Sequence, residues 1–106
     1  MGKYLYRLRY TPVGLEGTIK EGFAAREAFF RERVASLSRT TEAAYWAYGD
    51  DDVFVIVDLP DTAAATGLAL ALGRTGSFHV TTTVLLTAAD MDAGAGKSPI
   101  YRAPGS

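Results

Sequence analysis

At 106 residues the chain has the length of one domain, enough to bury a core and too little for a second. Lys and Arg total 11 against 12 Asp and Glu, and 48% of the residues are apolar, so the composition is globular and gives no general pull toward nucleic acid or an anionic membrane. With no cysteine, disulfides, thiolate metal sites and a cysteine nucleophile are excluded together, and the single histidine, His79, leaves any metal site resting on carboxylates.

Residues 3–11 alternate, with Tyr4, Tyr6, Leu8 and Tyr10 on one face and Lys3, Leu5, Arg7 and Arg9 on the other. That period of two marks a strand with an aromatic face and a polar face, ended by Pro12 and Gly14. From residue 15 to residue 37 the period changes. Leu15, Ile19, Phe23, Phe30, Val34 and Leu37 form a helical stripe, and Arg26, Glu27, Arg31, Glu32 and Arg33 supply its solvated side, so one long helix is expected. Residues 38–41 are polar and interrupt the pattern. Residues 42–48 are short and aromatic-rich, a second strand, and Gly49 with Asp50, Asp51 and Asp52 is turn chemistry.

Residues 53–59 carry no polar side chain before Asp58, which suits a strand covered on both faces. After Pro60, Asp61 is a natural N-cap for an alanine-rich helix whose expected inner face is Ala64, Gly67, Leu68, Ala71 and Leu72. Residues 77–87 alternate again, Phe78, Val80, Val84 and Leu86 against His79, Thr81, Thr83 and Leu85. Thr87 is placed to cap one short helical turn, and residues 93–106 read as a Gly/Pro/Ser-containing tail to a domain spanning 1–92. No basic leader precedes an apolar run, and no stretch nears the roughly 18–20 apolar residues of a membrane span. A cytoplasmic protein without a membrane partner is expected.

The order strand, helix, strand, strand, helix, strand is the ferredoxin-like βαββαβ arrangement, an α+β fold. Right-handed crossovers put both helices on one face of an antiparallel sheet ordered 4-1-3-2 and leave the other face bare. Arg7, Arg9, His79, Thr81 and Thr83 share that face, joined by Phe54 and Ile56 if the valines of their strand point to the helices. An open face of this mixed character calls for a cover, and a second copy packed sheet to sheet is the simplest one.

Residues 48–61 resemble the corresponding stretch of the GYD-domain family, small proteins of uncharacterised function in the dimeric α/β-barrel class. The resemblance extends over most of the chain. It takes in Tyr10-Thr11-Pro12-Val13-Gly14-Leu15, Tyr45-Trp46, Gly49 with Asp52, Leu59-Pro60-Asp61, Thr81-Thr82-Thr83 and the closing Tyr101-Arg102-Ala103-Pro104-Gly105. It implies a homodimeric α/β barrel and brings no assigned chemistry. This chain departs from the pattern at Asp51, where the family name implies an aromatic, and at Arg39 and Thr40, where Gly-Gly is common.

His79 is the one side chain of a type that takes or gives a proton near neutral pH, so it is the candidate catalytic base, or else an interface hydrogen bonder. Arg7 and Arg9, two apart on a strand, point the same way. They either clamp a carboxylate or enolate or pair with Asp58 or a partner's glutamate. Three consecutive aspartates lack the alternating ligand spacing of a Ca²⁺ loop, so no metal is expected. Nor is a cofactor expected: the glycines form no phosphate loop, and Ser-His-Asp chemistry, whose residue types are present, is set aside because there is no nucleophile elbow.

Three functions follow as expectations. One is a homodimer binding a small organic ligand at Arg7, Arg9, Thr81, Thr83, Phe54 and Ile56. Another is a cofactor-independent monooxygenase or isomerase using His79 as base with Arg7 or Arg9 holding the anion. The third is a regulatory or structural subunit acting by assembly.

Overall fold

The computed structural model describes residues 2–37 and 39–106. Strands β1 (Gly2–Tyr10), β2 (Thr41–Trp46), β3 (Val53–Leu59) and β4 (Phe78–Leu85) form one antiparallel sheet in the order β2-β3-β1-β4, which from the β4 edge reads 4-1-3-2. The helices are α1 (Pro12–Glu21), α2 (Phe23–Ala35), α3 (Thr62–Gly73) and α4 (Ala88–Gly96). The domain is α+β.

The alternation in β1 and β3 decides which face is buried. Tyr4, Tyr6 and Leu8 of β1 lie beside Val53, Val55, Val57 and Leu59 of β3, and Val34 of α2 with Ala65 and Leu68 of α3 close over them. Each large side chain buried there contributes about 1.5–3 kcal/mol. Tyr6 is fully buried and its hydroxyl donates to the Ala65 carbonyl at 2.6 Å, which ties the sheet to α3. Burial pushes that phenol's pKa up to about 12.

The single helix expected over residues 15–37 is two helices. Gly22 stands between them at φ 105°, a conformation that glycine adopts without steric cost and that ends a right-handed helix. The first of the two begins earlier than the apolar stripe suggests. Thr11 accepts from the Gly14 N–H at 3.1 Å, and Pro12 takes the first helical turn, where its missing N–H costs nothing. Gly14 is therefore inside a helix and not at a strand end. The break turns much of the stripe outward: Leu15, Ile19, Phe23 and Leu37 are exposed, while Val34 is buried and Phe30 packs on the core. Ser38, the start of the polar interruption, lies outside the described residues.

Asp61 caps α3 as expected, accepting from the Ala64 N–H at 2.8 Å. The buried side of that helix is Ala65 and Leu68, with Ala64, Ala69 and Leu72 partly buried, whereas Gly67 and Ala71 are exposed. Thr87 and Asp90 form a reciprocal capping box at 3.1 and 3.0 Å, and the helix they start runs nine residues to Gly96, beyond the single turn expected. None of its residues is buried. Residues 97–106 are exposed as well, and the molecule measures 57 × 35 × 22 Å with a radius of gyration of 16.9 Å, against about 13 Å for a compact chain of this length.

Candidate functional site

The face of the sheet away from α2 and α3 carries the residues that the alternation assigned to it. β1 presents Leu5, Arg7 and Arg9, and β3 presents Phe54, Ile56 and Asp58, since Val53, Val55 and Val57 face the core. From β4 come His79, Thr81, Thr83 and Leu85. The register sets Arg9 opposite His79, Arg7 between Phe54 and Thr81, and Leu5 between Ile56 and Thr83. Tyr45 of β2 lies opposite Phe54 and is 70% exposed. All seven sequence-chosen residues are thus on one surface.

Charges divide this face into two ends. Toward one lie Arg9, His79 and Arg7, and Arg7 pairs with Asp51 at 3.4 Å. The carboxylate partner of Arg7 within the chain is thus Asp51 and not Asp58. Toward the other end Lys3 stands opposite Asp58 and pairs with Glu42, whose hydrogen bond raises the Lys3 pKa above its ordinary value. Asp52, bonded to the end of β1, also lies at the first end, so Arg7 and Arg9 are balanced there by Asp51 and Asp52, whereas Lys3, Asp58 and Glu42 leave the second end with one negative charge in excess.

The turn aspartates divide their work. Asp52 accepts from the Tyr10 N–H at 2.9 Å, and its own N–H donates to the Leu8 carbonyl at 2.8 Å, so it fastens the turn to the end of β1. Among the described residues no group of three His, Asp or Glu side chains is arranged to hold a metal ion, and no helix is long and apolar enough to cross a membrane.

A second surface feature was not visible in the sequence. On the helix side of the sheet, α2 and α3 stand apart over Leu8, Val53 and Val55, and between them opens a cleft of about 670 Å³. Phe29, Phe30 and Leu37 form one wall and Ala64, Gly67, Leu68 and Ala71 the other, with Trp46 and Phe78 also lining it. Arg26, Glu27 and Arg33, expected on a solvated helix side, line it too. Trp46 is held by an edge contact to Phe23 at 5.8 Å and by donating its indole N–H to the Tyr10 hydroxyl at 3.0 Å. The seven-residue spacing of Arg26 and Arg33 around Phe29 and Phe30 was the available signal for this wall; the separation of the helices had none.

The family model of the GYD domain matches residues 4–95. No curated protein and no solved structure matches the chain.

Proposed function

Starting from a chain that belongs to the GYD-domain family, we propose that it acts as a homodimeric small-molecule-binding protein of ferredoxin-like architecture, with its open sheet face closed by a second copy. One observation carries this reading: Arg7, Arg9, His79, Thr81 and Thr83 share with Leu5, Phe54 and Ile56 the sheet face opposite the buried core, on which Arg9, His79, Thr81 and Thr83 are exposed among the described residues. Apolar side chains on such a face favour burial, and the polar ones would line whatever space the two sheets leave between them. In a two-fold dimer with the sheets antiparallel, the Arg9 end of each copy meets the Asp58 and Glu42 end of the other. The ligand class that suits two guanidinium groups and two threonine hydroxyls is a small organic anion.

Light scattering tests the assembly. The native chain should give twice the chain mass, and Ile56→Asp, which puts a charge in the centre of the face without touching the core, should give a folded monomer. A native chain of single mass at micromolar concentration overturns the dimer.

The register also favours a second reading, because a base directly across from a cation suits proton abstraction beside a carbonyl, with His79 taking the proton and Arg9 steadying the anion. For any substrate found to turn over, His79→Ala should lower kcat by about a hundredfold or more. Unchanged turnover removes this role.

A further inference from the structure

We propose that the cleft between α2 and α3 is a separate binding site for a monocarboxylate with an apolar body, of the fatty-acid or aryl-acid kind. Its volume, about 670 Å³, lies within the 300–1,000 Å³ range of pockets that enclose small organic ligands. The floor and walls are almost wholly hydrocarbon, so the body of the ligand must be apolar. Protein interiors close-pack wherever side chains can reach one another, and here small residues of α3 keep them from doing so. A Cβ added to Gly67 would meet nothing within 4 Å.

The head group follows from the charged residues of the α2 wall. Glu27 is engaged by Arg31 at 2.9 Å. The guanidinium groups of Arg26 and Arg33 lie against the ring of Phe29, 4.7 and 5.4 Å from its centroid, and this holds both at the cleft wall. Glu21 reaches Arg26 only at 3.5 Å, and Glu32 meets Arg33 at 3.1 Å. Glu21 and Glu32 cancel the two charges, but each meets only one nitrogen of its arginine, so N–H donors remain on both guanidinium groups for a carboxylate head group, while the cancelled charge gives a dianion such as phosphate no extra attraction. A planar guanidinium fork also matches a carboxylate in geometry.

Trp46, the chain's one tryptophan, lines the cleft and reports on it. Titration calorimetry and tryptophan fluorescence with decanoate and with 2-naphthoate should show one site per chain for at least one of them. Decanol should bind about tenfold more weakly than decanoate, the loss of one charge-assisted hydrogen bond, and decylamine more weakly still. The Arg26→Gln/Arg33→Gln double variant should erase the preference for decanoate over decanol. Gly67→Leu fills open space on a helix, so it should keep the fold by circular dichroism and abolish binding; Ala71→Phe, from the same wall, provides a second filled variant. Arg9→Ala and His79→Ala should leave decanoate binding unchanged, so failure of the open-face proposal and failure of this one give different results. The proposal is overturned if neither acid binds, if folded Gly67→Leu and Ala71→Phe bind as well as the native chain, or if decanol binds as tightly as decanoate.

Discussion

Tyr6 carries a hydroxyl fully into a core that it shares with Tyr4 and with valine, leucine and alanine side chains, and the Ala65 carbonyl satisfies it. Burial raises its pKa from the ordinary 10.0 to about 12. The folded state therefore holds this proton more tightly than the unfolded chain does. The stabilisation is fully present below pH 10 and is lost as the pH rises toward 12. Denaturant unfolding of Tyr6→Phe should show a flatter decline than the native chain across that window, and a baseline lower by about 1 kcal/mol at neutral pH for the lost hydrogen bond.

Two glycines of α1 make opposite predictions at the same scale. A Cβ on Gly14 would lie 2.0 Å from the Ser77 carbonyl oxygen, a backbone atom that Thr11 also binds through its N–H. Gly14→Ala should thus cost about 3 kcal/mol, the upper part of the range for overpacking, despite alanine's better helix propensity. Gly17 has nothing within 4 Å of its Cβ position, so Gly17→Ala should stabilise by about 0.5–1 kcal/mol. Urea midpoints of the two variants should move in opposite directions.

At the scale of elements, strands were easier to read than helices. Alternation in residues 3–11 assigned the side chains of β1 to their faces, because Tyr4, Tyr6 and Leu8 are buried and a slip of one residue would expose them; on β4 only Phe78 and Val80 of the expected inner face pack on the core, while Val84 and Leu86 are exposed. The valine-rich run of β3 agreed with its observed span. The long helix failed at Gly22, since a periodic stripe continues across a glycine whether or not the backbone does. The helix at Thr87 was underestimated because Gly94 and Gly96 conceal its length, while the capping pair that starts it was legible. Arg7, Arg9, His79, Thr81 and Thr83 could be read onto the open face from period two, whereas Phe54 and Ile56 sit in a strand apolar throughout and were placed only by the burial of Val53, Val55 and Val57; the cleft depends on how far apart two helices rest, which is set by packing and leaves no periodic trace.

That final helix supports a prediction of its own. Since α4 buries none of its residues, its stability rests on local terms, of which the capping box is the clearest. Thr87→Ala should remove about 1 kcal/mol from α4, seen as faster amide exchange in residues 90–97, without shifting the unfolding midpoint of the sheet. The Thr87 N–H and hydroxyl hold the Asp90 pKa below its ordinary 3.8. The contribution of this carboxylate is present above that value and lost as acid titrates Asp90, so α4 should fray at acid pH before the core unfolds.

For the molecule as a whole, the sheet separates two surfaces of opposite character. One is the open sheet face, proposed above to receive a second copy; the other holds a cleft walled by helices. Because Phe54 and Val55 are neighbours in sequence yet look to opposite sides, β3 is a partition shared by both. A change on one side of it need not be felt on the other, and the double-variant test of Ile56→Asp with Gly67→Leu should give additive effects on stability within about 0.5 kcal/mol.

The exposed terminal helix has a practical consequence for any measurement of size. A molecule 57 Å long and 22 Å thick tumbles and drags more than a sphere of equal mass. On a gel-filtration column a lone chain would elute ahead of its mass and could pass for the very dimer being sought. Sedimentation velocity separates the two, because elongation raises the frictional ratio while association raises the mass.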